Sequence, residues 1–191
     1  MSIAALRVAM RDPLIRFLVL GVSLYLAWQL AYVLVIDPWD RLDRLVIGSL
    51  VAISGWVLIA LGYDLIPEPA NAELIRTIGV EGGSLLWIGD PCNGVSLFAV
   101  FLIFLAAFPG AWRPKLWFGV AGLLSIHLIN VLRIVVLVII ARVNIDLLNF
   151  NHDYTFYVVV YGWVFLLWYL WIRRATGLSA RVKVSRQEPT A

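Results

Sequence analysis

The run LWFGVAGLLSIHLINVLRIVVLVIIA, Leu116–Ala141, decides how the rest of this chain is read. At about 1.5 Å of rise per residue a helix of this length crosses the ~30 Å hydrocarbon layer of a bilayer. It carries a single charge, Arg133. An arginine inside such a helix costs at least roughly 2.5–3.5 kcal/mol on insertion scales, so it must meet a partner or a wet cavity. One stretch therefore poses both questions: what fold holds it, and what Arg133 faces.

Composition extends the reading to the whole chain. Of 191 residues, 62% are hydrophobic and 14% charged, with nine Trp, and the mean hydropathy is +0.92. Soluble domains run at about half apolar and a quarter charged. A soluble globule of this size has no means of hiding so much apolar surface, and disordered chains are apolar-poor. One cysteine excludes a disulfide framework, and two histidines at different depths make a poor metal set. The net charge of +3 is spread in short clusters between apolar runs, which is a topology signal and not a nucleic-acid face.

The fold class expected is an all-α integral membrane protein. Five spans are read at residues 14–36, 45–66, 92–109, 116–141 and 154–172, in one domain over residues 1–173. Residues 174–191 form a basic, disordered cytoplasmic tail. The count becomes six if residues 1–13 add an interfacial helix. Leu14–Ile36 exceeds a signal-peptide core and lacks a small-residue cleavage site after it, so it is retained. Residues 72–89 mix acids, glycines and short apolar runs, and read as a small extracytoplasmic hairpin.

Five spans place the termini on opposite sides. With the N-terminus outside, the cytoplasmic segments hold Arg41, Arg44, Arg113, Lys115, Arg173, Arg174, Arg181, Lys183 and Arg186, against Arg7, Arg11, Arg16 and Arg76 outside. The positive-inside bias favours that orientation. It turns the segments 67–94 and 143–153 outward, with the only cysteine and His152.

Cys92 stands in Gly89-Asp90-Pro91-Cys92-Asn93-Gly94, where Asp90 suits a helix cap and Pro91 a first turn. Backbone N–H groups at a helix start favour the nucleophilic thiolate, although a lone cysteine in a membrane helix is ordinarily a small buried hydrophobe. Asn130 lies one turn from Arg133 on the same face, and Gly94 lets another chain approach closely. His152, in Asn151-His152-Asp153, titrates in the range a general base needs. His127 reads as a hydrogen-bonded core histidine. At 1.5 Å per residue, Cys92 rises roughly 27 Å above Gly110, Arg133 roughly 27 Å above Lys115 and His152 roughly 31 Å above Arg173. A nucleophile, a cation and a base thus reach one depth.

The order Cys92-Asn93-Gly94, Asn130-Val131-Leu132-Arg133, His152-Asp153 on successive helices resembles the exosortase/archaeosortase family of membrane cysteine transpeptidases, over about residues 80–172. The resemblance implies a compact bacterial member in the plasma (inner) membrane, with its site facing outward and its C-terminus cytoplasmic. Its substrates are exported proteins with a C-terminal motif, membrane helix and basic cluster, and a membrane lipid or glycolipid, or water, accepts the product. Cys92 is then the nucleophile, His152 the proton carrier and Arg133 the oxyanion partner, with Asn93, Gly94, Asn130 and Asp153 around them. No cofactor is implied. The rival expectation is a non-catalytic scaffold or lipid-binding module in which Arg133 holds an anionic head group.

Overall fold

A computed structural model describes residues 12–67, 76–144 and 156–187, with side chains of the last segment as far as residue 175. Five helices account for most of it: α1 (Pro13–Trp39), α2 (Arg41–Ala60), α3 (Val95–Ala107), α4 (Trp112–Val143) and α5 (Phe156–Gln187). Four of them, α1, α2, α4 and the Phe156–Ala175 part of α5, are long and apolar enough to cross a membrane. The protein is an all-helical membrane protein.

Local chemistry sets the ends. Asp12 accepts a hydrogen bond from the Leu14 amide at 2.8 Å, and Pro13 occupies the first helical position of α1. A π turn at Tyr32–Ile36 precedes the end of α1, where Asp40 adopts the left-handed conformation, φ 53°, and redirects the chain into α2. The expected third span, 92–109, is shorter in the structure. Asp90–Cys92 forms a separate 3-10 turn, Gly94 at φ 86° breaks the path, and α3 begins only at Val95. Its 13 residues rise about 20 Å. Phe108, extended ahead of Pro109, ends it. At the other extreme α5 continues to Gln187, through the tail expected to be disordered from residue 174. The stretch holds no proline and mostly good helix formers.

The helices pack in two layers of contact. In the first, α1 and α3 run antiparallel, with Phe17 edge-on to Phe104 at 5.5 Å and to Phe108 at 5.9 Å. Here α3 also lies against α4, where Gly122 makes room for the Phe101 ring. From α5, Val164, Leu167 and Trp171 complete this core with Ile126, and Trp168 stacks on Phe104 at 4.5 Å. In the second layer, Ile47, Leu50 and Leu58 of α2 meet Val131, Ile134, Val135 and Val138 of α4. Ile78, Val80 and Ile88 close it from the hairpin. That hairpin pairs β1 (Thr77–Ile78) with β2 (Leu86–Trp87) antiparallel, and Val80 bridges back to Leu65. The expected hairpin is therefore present, with shorter strands.

The path of α2 departs from the sequence expectation. Alternating spans put the turn around Asp40 and the segment before Cys92 on opposite sides. In the structure Arg76 pairs with Asp40 at 2.6 Å and with Asp90 at 2.5 Å, so these segments share one end of the bundle. The far end of α2 does not reach the opposite end either. Tyr63 lies beneath the Arg142 guanidinium, 5.4 Å from its ring centre, beside the last turn of α4. Helix α2 thus runs alongside the C-terminal half of α4. Hydropathy shows that a segment avoids water; it does not show whether lipid or protein replaces the water.

Candidate functional site

The site is built on the turn between β2 and α3. The Cys92 amide donates to the Gly89 carbonyl at 2.9 Å, and the Asn93 amide to that of Asp90 at 3.2 Å. Asn93 then works in two directions: its Oδ1 accepts from the Val95 amide at 2.8 Å, and its Nδ2 donates to Asp43 Oδ1 at 2.5 Å. Asn93 therefore takes up the first amide of α3, one residue ahead of the N-cap Gly94. Asp90, expected to cap the helix, gives its carboxylate to Arg76 instead. Cys92 consequently precedes α3 and does not lie in its first turn.

Gly94 is required twice. Its φ of 86° lies in the left-handed region, and a Cβ would stand 3.1 Å from Asn130 Nδ2. That close approach lets Asn130 Nδ2 donate to the Cys92 carbonyl at 3.0 Å. One turn further along α4, Arg133 Nη2 lies 3.8 Å from Cys92 Sγ. Arg133 is buried, at 7% exposure, and its Cζ sits 5.9 Å from the Tyr157 ring centre on α5. Of the residues that the sequence singles out, the structure brings Cys92, Asn93, Gly94, Asn130 and Arg133 together. His152 and Asp153 lie outside the described residues. His127 shares a hydrogen bond with Ser49 Oγ at 3.3 Å, as a core histidine would.

Two groups escaped the sequence reading. Asp43, 1% exposed, accepts from Asn93 and, at 3.2 Å, from the Tyr32 hydroxyl. A signal for it exists: Asp43, Ile47, Leu50, Ser54 and Leu58 form one helical stripe, all buried. An acid heading an apolar stripe is out of place unless it has partners. The second group is Arg76, which ties Asp90 to Asp40, while Asp40 also meets Arg44 at 2.5 Å. The Arg44 hydrogen bond, with Arg76 adding to it, holds the Asp40 carboxyl below the usual carboxylate range. Burial alone would ease the proton off Arg76, but its bonds to Asp90 and Asp40 outweigh that and raise its affinity for the proton. Nothing in the local sequence pairs these groups, which are 36 residues apart.

Chemically the arrangement offers a half-buried thiol whose sulfur faces a guanidinium and whose carbonyl is fixed by an amide. A cation beside sulfur stabilises thiolate, and the same cation suits an oxyanion formed at an attacked carbonyl. No family model, curated protein or solved structure matches the chain. Fold and site define a helical membrane protein with a thiol–guanidinium pair set between its helices.

Proposed function

We propose that the protein is a membrane-embedded cysteine peptidase or transpeptidase, of the kind that the exosortase/archaeosortase resemblance implies. The observation that carries this reading is the approach of Arg133 Nη2 to Cys92 Sγ, 3.8 Å, on a turn fixed by Asn93 and Asn130. Cys92 attacks the scissile carbonyl of an exported protein near its C-terminal signal. The S–C bond forms, the thiol proton passes to His152, and Arg133 balances the oxyanion. The C–N bond then breaks, and the leaving amine takes the proton from His152. Water, or a nucleophile on a membrane lipid or glycolipid, releases the acyl group from the thioester. Burial of Arg133 against Tyr157 favours this role over the holding of a lipid head group from the bilayer.

The orientation belongs to the same proposal. Helices α1, α4 and α5 cross the plasma membrane, α3 returns through it with the Asp90–Cys92 turn and the extended Phe108 lengthening its path, and α2 with the hairpin forms a layer on the outer half. The end near Gly110 then carries Arg16, Arg113, Lys115, Arg173 and Arg174, and its flanking segments Arg7, Arg11, Arg181, Lys183 and Arg186. The Cys92 end carries Arg41, Arg44, Arg76 and Arg142. The positive-inside bias therefore favours both termini in the cytoplasm and Cys92 outward. Unlike the five-span path, this one exports no arginine-rich N-terminus.

The test is co-expression with an exported reporter bearing a C-terminal motif, membrane helix and basic cluster from the same genome. Wild type shortens the reporter, and a well-expressed Cys92→Ala variant leaves it intact. Shortening that persists in the variant overturns the reading.

A further inference from the structure

At the end of the bundle opposite Cys92 lies a cavity of about 580 Å³ between α1, α3 and α4. Its polar lining includes two cations, Arg16 and Lys115, and its walls include Phe17, Leu20 and Ala106. No carboxylate lines it. Asp12, the acid nearest in sequence to Arg16, is engaged in capping α1. Lys115 is held in place by one bond, Nζ to the Ala106 carbonyl at 3.1 Å, at the C-terminal end of α3. An ammonium has three donors, so two remain for a ligand. Among the described residues Arg16 pairs with no carboxylate.

The surroundings decide which anion fits. Ala106 and Lys115 also line an apolar groove between α3 and α4, whose other walls include Leu102, Leu105, Leu116 and Val120. An occupant with an anionic head and long apolar tails meets both surfaces at once: charge in the cavity, chains along that groove. We infer that this cavity binds the head group of an anionic phospholipid, with Arg16 and Lys115 on its phosphate. The inference rests on the membrane embedding and on this end facing the inner leaflet, where basic pockets between helices meet anionic lipid. It does not rest on the chemistry of Cys92. A bound lipid would pin the start of α1 to α3 and α4.

The experiment uses the full chain in neutral phosphatidylcholine nanodiscs, with and without phosphatidylglycerol, read by native mass spectrometry after release into detergent. Wild type should carry phosphatidylglycerol adducts and unfold at a higher temperature when that lipid is present. Arg16→Gln with Lys115→Gln should weaken the adduct about thirtyfold, from the loss of two cations near the surface. Arg16→Lys with Lys115→Arg should keep it. Alkylation of Cys92 at the wild-type rate certifies that the neutral variant is folded. Equal adducts in wild type and a folded neutral variant overturn the proposal. So does a thermal shift produced as well by inorganic phosphate as by the lipid, which marks a site for free phosphate.

Discussion

Asn93 Nδ2 donates to Asp43 Oδ1 at 2.5 Å, joining the turn that carries Cys92 to the first turn of α2 across fifty residues of chain. Both side chains are 1% exposed. A buried carboxylate is costly to desolvate, and here it gains a Tyr32 hydroxyl and an Asn93 amide in return. The same Asn93 accepts the Val95 amide of α3 through Oδ1, so any movement of Asp43 is passed to the residue after the thiol.

Replacing Asp43 by Ala leaves the Asn93 amide and the Tyr32 hydroxyl without this acceptor, which should destabilise the protein by about 1–3 kcal/mol. Asp43→Asn retains an acceptor oxygen and should cost less. Thermal unfolding in detergent measures the difference. Equal midpoints for wild type and Asp43→Ala would show that the contact contributes nothing.

Arg133→Gln removes the cation facing sulfur. Alkylation of Cys92 by iodoacetamide at neutral pH should slow about ten- to hundredfold, the range for a charge-assisted hydrogen bond. Arg133→Lys keeps the charge but loses the planar fork, so its rate should fall between the two. Because Cys92 is the only cysteine, mass spectrometry of the intact chain reports this site alone. Unchanged alkylation in Arg133→Gln would separate Arg133 from the thiol.

Gly94→Ala should destabilise by about 1–2 kcal/mol through its left-handed backbone alone. The added Cβ also presses on Asn130 Nδ2, so the alanine variant should lose more than Asn130→Ala combined with it loses relative to Asn130→Ala alone. A double-mutant cycle on unfolding midpoints checks this. Strict additivity would remove the steric part of the argument.

Acid should loosen the link between the Cys92 turn and α2. Asp40 ionises more readily in the folded protein, first because Arg44 hydrogen-bonds it and then because Arg76 adds its charge. A carboxylate with a lowered folded value adds stability above its unfolded value, near ~4, and loses it as pH falls through the folded one. Unfolding midpoints should therefore drop as pH falls below about 4, and Asp40→Asn should flatten that drop. The same acid slope in wild type and variant would assign it to other carboxylates.

A cytoplasmic Asp40 turn would leave Arg44 and Arg76 on opposite faces of the membrane, yet one carboxylate holds both. Membrane orientation is tested by a membrane-impermeant thiol reagent on intact cells, which should reach Cys92 from outside, while tags on both termini stay protected from added protease. Label that reaches Cys92 only after lysis would reverse the orientation.

By itself the sequence determined that the chain is helical and membrane-embedded, because its apolar runs together carry more apolar surface than a soluble globule of this size can hide. It also marked Arg133 and Asn130 on one stripe of α4, since a 3.6-residue repeat fixes which side chains share a face. It placed a hairpin before Cys92 and chose Cys92 as the sulfur to examine. Tertiary structure decided the rest. Asp43 became part of the site because α2 packs back along α4, and Arg76 found Asp40 because the hairpin folds onto the same end. Those pairings depend on which surfaces meet, and hydropathy read along one chain carries no term for the neighbour. Even the break at Gly94, legible as a glycine, acquired its meaning only when Asn130 came within 3.1 Å of the missing Cβ.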